Sequence, residues 1–440
     1  MRLLVTAFYR DSARYFTELA KHIEQTRKIN VTLEAISIYP CAQKYFNDKG
    51  VKSTYAPAML RAGCRKPVDL DNDLTKALIS FHCKTYQYFG QERDEDLAAI
   101  AHGYISFLEE LFRKRRFDRA IVFGSSRLLP KAVVHIARKH HVPVFFFEQA
   151  PFGRTILNPG GVGSKMVLPP YQKHEGSNSE KIRVHGGRSA KSHYWKSEKK
   201  SMALRLAQAH TLLQSFQPKL LQTFLAPDLY TGPFSLLLKR TLAKIRVKHA
   251  KKPAVPTSVG RRISLFLQTP VDAQFFEESP VYGDFTQMVE DVISACPQSH
   301  RLVVREHPEH LGCYSPKLYD LIDASPNAIL DNLTPFDELL KGSELVIVNN
   351  STVGFQALAI GKKVLVLGNA FYSGKGITYD LSDRTEMSTI LRRALREPSK
   401  PDCAQEFVAY MLNEVFFSGY FQDLDLEFDE RLIALVVDGE

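Results

Sequence analysis

Two strand ends in the C-terminal half of this chain carry groups that bind phosphate. In Val346-Ile347-Val348-Asn349-Asn350-Ser351-Thr352-Val353-Gly354 an apolar strand runs into amides and hydroxyls, and a helix closed by Gly361 follows at once. A helix start has unpaired N–H groups and the positive end of the helix dipole, so it suits a phosphate. Upstream, Leu302-Val303-Val304 ends in Arg305-Glu306-His307-Pro308. Proline restricts the backbone before it, which fixes where the His307 ring points, and Arg305 adds a charge-assisted bond to phosphate. Together they place a nucleotide at the carboxyl edge of a parallel sheet; taken singly, each is also an ordinary N-cap or His-Pro turn. Carboxylates occupy two further strand ends. Leu267-Gln268-Thr269-Pro270-Val271 leads to Asp272, and Phe145-Phe146-Phe147 leads to Glu148. Burial against an apolar wall raises a carboxyl pKa, which suits a general acid or base; a loop cap or ion-pair partner is the structural alternative.

The elements that must hold these residues alternate. A strand over 2–9, a helix over 12–26 and a strand over 31–38 open the chain, and 73–116 has helical periodicity. Arg119–Phe123 then enters the turn Gly124-Ser125-Ser126-Arg127, with a helix to Ala137 and a return strand over 142–147. From Ile263 the alternation resumes, with strands near 263–269, 301–305, 328–331, 345–349 and 363–367. The reading is α/β: two doubly wound domains, 1–170 and 261–440, facing across a cleft, joined by a basic helical insertion at 171–260. The run Pro151–Gly163 reads as a glycine-rich loop that matches neither a Walker A motif nor GxGxxG, which removes kinase and dehydrogenase readings. Arg127 in the turn and Arg154 in this run are added as substrate-binding candidates.

At 440 residues the chain is too long for one core, and 44% hydrophobic with 24% charged residues is globular. The first strand is too soon interrupted by Arg10-Asp11 for a signal peptide, and no window approaches ~18 uninterrupted apolar residues. Cys41, Cys64, Cys83, Cys296, Cys313 and Cys403 have no metal-ligand spacing, so free thiols are expected and a zinc site is not. Between Lys165 and Arg262 stand 20 Lys or Arg against four acids, a net +16, which leaves −6 for the rest of a chain at +10. That concentration suits an anionic membrane surface. A nucleic-acid module is not expected, because no RRM, KH, zinc-finger or helix-turn-helix signature accompanies the charge.

In order along the chain, Phe147-Glu148 with Gly161-Val162, Leu267-Gln268 with Asp272, Arg305-Glu306-His307-Pro308, Asn350-Ser351-Thr352-Val353-Gly354 and Leu367–Thr378 resemble the bacterial capsule polysaccharide biosynthesis family. That family includes the β-Kdo transferases of the lipid-linked Kdo linker. The His-Pro and Ser-Thr pair is also similar to bacterial sialyltransferases. The resemblance implies a GT-B-type fold, CMP-Kdo as donor and a lipid-linked saccharide or phosphatidylglycerol-type acceptor. It further implies work at the inner face of the cytoplasmic membrane beside other capsule biosynthesis proteins. Carried over, His307 and the Ser351-Thr352 helix start hold the CMP phosphate, Gln268 and Asp272 line the sugar site, and Glu148 faces them. No metal cofactor is expected, since one phosphate between sugar and nucleoside needs no Mg²⁺ bridge. Retention at the anomeric carbon assigns Asp272 as nucleophile and Glu148 as acid/base. The alternatives are an inverting sialyltransferase-like enzyme using a CMP-nonulosonate and a non-catalytic GT-B scaffold. The chain departs from the family pattern at Gln149-Ala150, at Thr269-Pro270 and at Arg305, where the family has Lys.

Overall fold

Strands apolar on both faces must be covered on both sides, and the chain meets this twice. The structure, a computed structural model, describes residues 1–63, 70–170, 202, 206, 209–210, 227–230, 232–249 and 261–439. Most of the basic insertion expected at 171–260, and Cys64, lie outside the described residues. None of the five described cysteines forms a disulfide.

The first unit comprises residues 1–167, the described residues through Phe234, and the C-terminal segment from Val415. Its sheet has strands β1 (Arg2–Ala7), β2 (Thr32–Ser37), β3 (Lys52–Tyr55), β4 (Arg119–Phe123), β5 (Val144–Ala150) and β6 (Arg154–Asn158). They lie in the order β3-β2-β1-β4-β5-β6. The first five run parallel and β6 returns antiparallel to β5. The loop expected over 151–163 is therefore corrected. Phe152 at φ 60° and Gly153 at φ 69° turn the chain tightly, and Thr155, Ile156 and Leu157 are buried as an edge strand. The helical stretch expected over 73–116 is two helices, Asn72–Tyr88 and Asp94–Lys114, broken at Gly90 with φ 71°.

The second unit runs from Ser235 to Glu414, with residues 168–170. Its strands are β7 (Arg261–Phe266), β8 (His300–Arg305), β9 (Ala328–Leu330), β10 (Leu345–Val348), β11 (Lys363–Val366) and β12 (Tyr379–Asp380). All neighbours are parallel, in the order β12-β11-β10-β7-β8-β9. Ile263, Leu265, Leu302, Val304, Leu345, Ile347 and Leu365 alternate along these strands into one buried cluster with Phe275, Phe285 and Met288. Each sheet thus has the doubly wound Rossmann order, reversing between β1 and β4 and between β7 and β10. The chain is thus α/β with two Rossmann-like sheets, as expected.

The second unit ends at Glu414 rather than 440, because the tail has apolar surface that the first unit buries. Leu432, Ile433 and Val436 of the last helix, with Phe417, Tyr420 and Phe421, join the core around Phe147. Thr155 and Phe417 exchange backbone hydrogen bonds of 3.0 and 2.9 Å, and Phe421 packs edge-on against Phe123 and Phe147 at 5.7 and 5.9 Å. The aromatic wall before Glu148 is therefore built partly from the far end of the chain.

Candidate functional site

In doubly wound sheets the strand order reverses where the segments leaving the carboxyl ends diverge, and ligands bind in that crevice. In the second unit β7 and β10 flank the reversal. The residues leaving them meet: Gln268 Nε2 donates to Asn350 Oδ1 at 2.8 Å, and the Asn350 amide donates back to Gln268 Oε1 at 3.3 Å. Asn350 Nδ2 also donates to the Gln274 and Glu278 carbonyls at 2.9 and 3.3 Å. Both side chains are buried, so this pair holds the crevice in shape with its polar groups bonded to protein. Beside it, Asn349 accepts from Ser279 Oγ at 3.0 Å, yet its buried Nδ2 has no partner among the described residues.

Ser351 is the N-cap of the helix Thr352–Ala359, its Oγ accepting from the Val353 amide at 3.3 Å. Thr352 is exposed at the first helical position. The Ser351 carbonyl accepts from the Tyr372 phenol, which crosses over Gly354. An added Cβ at Gly354 would lie 2.8 Å from Tyr372 Cζ. Gly354→Ala is therefore expected to cost about 1–3 kcal/mol through overpacking, with a lower melting temperature and weaker ligand binding because the helix start shifts.

The segment after β8 sorts its side chains by job. Arg305 donates to the Asp331 and Thr334 carbonyls at 3.2 and 2.6 Å, and burial lowers its pKa. It fastens the 331–334 loop. Glu306, 3% exposed and not singled out in the sequence, accepts from the Gly312 amide at 2.9 Å, from Tyr319 Oη at 2.5 Å and from Asn332 Nδ2. It anchors the loop that follows. The His307 amide donates to Tyr314 Oη at 3.2 Å, and that hydroxyl donates to the Gln268 carbonyl, so the loop is tied to the crevice. His307 Nδ1 accepts from the Glu309 amide at 3.2 Å, which puts the ring proton on Nε2. His307 is half-buried after β8. Pro308 is exposed.

Asp272 is the N-cap of the helix Ala273–Glu278. Its Oδ1 accepts from the Gln274 and Phe275 amides at 2.8 and 3.1 Å, and its Oδ2 stands 3.4 Å from Thr269 Oγ1. Burial raises its pKa, and the hydrogen bonds only partly offset it. One oxygen is held and oriented while the other is bound loosely, an arrangement that serves a cap and a reactive carboxylate alike.

At the carboxyl edge of the first sheet, Glu148 lies beside Gly124, whose φ of 72° turns the chain out of β4; a Cβ there would stand 3.8 Å from Glu148 Oε2. Glu148 Oε1 accepts from the Gln149 amide at 3.0 Å. Arg154 begins β6, half-buried. Arg127 donates to the Asp228 carbonyl at 2.5 Å, with Phe8 and Phe81 rings 5.1 and 5.7 Å from its guanidinium. Asp228 itself, fully buried, accepts from the Leu129 amide at 3.1 Å and from Tyr104 Oη at 3.3 Å. The helix start after β4, topological counterpart of the one after β10, is thus filled by a carboxylate of the chain itself. Sequence reading missed Asp228, since no local signal ties it to a helix start 99 residues away.

Asp11, also missed, follows β1 at this edge. Burial pushes its pKa up to about 6, against the lowering effect of Arg14 and Arg10. Between 3.8 and about 6 the folded state keeps a proton that the unfolded chain has lost. Stability therefore falls as pH rises across that window and the penalty persists above it. Thermal melts of Asp11→Asn are expected to lose that slope and to exceed wild type at pH 7.

A two-sheet α/β protein whose second sheet brings a Ser351-capped helix start and the His307 imidazole to one carboxyl edge is the class that fold and site define. The profile described as "Capsule polysaccharide biosynthesis protein" matches residues 118–421, and the chain belongs to that family. Among relatives, Protein FixF of Sinorhizobium fredii is 25% identical over 169 residues, 38% of this chain and 40% of that protein. The capsule polysaccharide export protein KpsS of Escherichia coli is 31% identical over 122 residues, 26% of this chain and 31% of that protein. The chain thus matches less than half the length of these relatives. Among solved structures, the β-Kdo 2,7 transferase of Thermosulfurimonas dismutans KpsC has 19% identity and a TM-score of 0.38, covering 76% of this chain and 88% of that one. The UDP-GlcNAc 2-epimerase of Neisseria meningitidis bound to UDP-GlcNAc has 12% identity and a TM-score of 0.35, covering 93% and 94%.

Proposed function

We propose that this chain is a glycosyltransferase of capsule or related surface polysaccharide assembly, and that it transfers Kdo or a related acidic keto-sugar from its CMP conjugate to a lipid-linked acceptor. One contrast carries the reading. The second unit presents an uncapped-by-carboxylate helix start at Thr352 and the His307 Nε2–H on one sheet edge, whereas Asp228 fills the corresponding helix start of the first unit. An anionic leaving group belongs at the former. There the Thr352 end of the helix and His307 bind the phosphate, and charge that builds on the departing CMP is stabilised as the sugar–oxygen bond breaks.

In the retaining form of the reaction Asp272 Oδ2 attacks the anomeric carbon, CMP leaves, and the acceptor hydroxyl then displaces Asp272. Glu148 takes the hydroxyl proton. The raised pKa of Asp272 equally favours an inverting reaction in which it acts as base toward the acceptor. The family and the basic segment support a place at the inner face of the cytoplasmic membrane. Among the described residues no helix is long and apolar enough to cross a membrane.

Calorimetric titration with CMP, UDP and GDP tests the donor class. CMP is expected to bind at least about tenfold more tightly than the others, and a preference for UDP would overturn the assignment. Incubation with CMP-Kdo and lipid acceptors, followed by the anomeric configuration of the product, separates the retaining from the inverting course.

A further inference from the structure

The helix Phe234–His249 carries apolar side chains where a soluble helix carries polar ones. Leu238, Leu242 and Ile245 are 60%, 48% and 49% exposed. Their spacing of four and three residues places them in one stripe along one face. The opposite side is the seat. Leu236 is buried, Arg240 pairs with Glu309 at 3.7 Å, and a Cβ on Gly312 would come within 3.1 Å of the Ala243 Cβ. Glu309 and Gly312 belong to the loop that begins at Glu306 and carries His307.

The charge of the helix has one sign. Its sequence, FSLLLKRTLAKIRVKH, holds Lys239, Arg240, Lys244, Arg246 and Lys248 and no acid. Exposed aliphatic stripes are rare on soluble surfaces and mark interaction sites. A stripe of Leu and Ile within an all-basic helix complements a surface that is apolar below and anionic at its edge, which is the interfacial zone of an acidic bilayer. A nucleic acid would use the charge but leave the aliphatic stripe in water.

We propose that the helix Phe234–His249 lies in the plane of an anionic membrane with Leu238, Leu242 and Ile245 inserted, and so seats the His307 loop at the membrane surface. The purpose of this contact rests on the transferase reading, but its test does not. Flotation of the full chain with phosphatidylcholine vesicles, with and without phosphatidylglycerol, is compared for wild type and the triple variant Leu238→Ser, Leu242→Ser, Ile245→Ser. CMP binding is measured on the same samples.

The wild type is expected to float only with the anionic vesicles. The triple variant is expected to lose at least about tenfold in partitioning while its melting temperature and CMP affinity stay unchanged. A triple variant that floats as well as wild type would overturn the proposal, as would wild type that ignores anionic vesicles. So would a wild-type dimer in light scattering that the triple variant abolishes without any vesicle binding, since the stripe would then serve a second copy of the chain. Wild type that floats through this stripe yet ignores CMP would leave the membrane contact standing and the donor reading fallen.

Discussion

Asp272→Asn is expected to abolish sugar transfer and leave the protein folded. Asparagine caps a helix about as well as aspartate, so the bonds from the Gln274 and Phe275 amides to the side-chain oxygen survive the change. What it removes is the nucleophilic oxygen. Loss of a nucleophile lowers turnover by at least about a thousandfold, while CMP affinity should hold. The pKa direction adds a second readout. Burial raises the Asp272 pKa, so the ionised form is disfavoured in the folded state and stability falls as pH rises from the unfolded value toward the raised one. The variant removes that penalty and is expected to melt no lower than wild type at neutral pH. Turnover of the wild type should rise with pH through the same titration, because only the carboxylate attacks. Asp272→Ala is the comparison that loses the cap as well, at about 1 kcal/mol. An Asp272→Asn enzyme that transfers sugar as fast as wild type would reduce Asp272 to a helix cap and remove it from the chemistry.

His307→Ala is the second large effect. A hydrogen bond to a charged group is worth about 1.5–3 kcal/mol, so CMP should bind roughly ten- to a hundredfold more weakly. Cytidine, which has no phosphate, should be affected little. His307→Gln, whose amide also donates, should recover part of the loss. The loop loses the bond from the Glu309 amide to the ring but keeps its anchors at Glu306 and at Tyr314. Equal affinity of His307→Ala and wild type for CMP would remove the imidazole from the site.

The parts legible in the sequence are those written in local pattern. Val346–Val348 and Leu302–Val304 are continuous apolar runs because their strands are buried on both faces. Ser351 before an apolar helical period announces its cap. What was not legible depends on partners far along the chain. Gln268 and Asn350 bond across 82 residues, and neither residue type signals the other. The same holds for the tail, whose Phe421 and Ile433 are read as apolar but not as part of the first core. Arg305 and Arg127 show the limit of reading charge alone, for both guanidinium groups donate to backbone carbonyls. Arg-Glu-His-Pro held one further clue, a carboxylate at the end of a buried strand, and Glu306 proved to be the anchor of the His307 loop.

The most direct test is a crystal structure of the full chain soaked with CMP. The phosphate is expected within hydrogen-bonding distance of His307 Nε2 and of the Thr352 backbone amide, beside the Gln268–Asn350 pair. CMP bound instead at the edge of the first sheet, around Gly124 and Glu148, would contradict this placement.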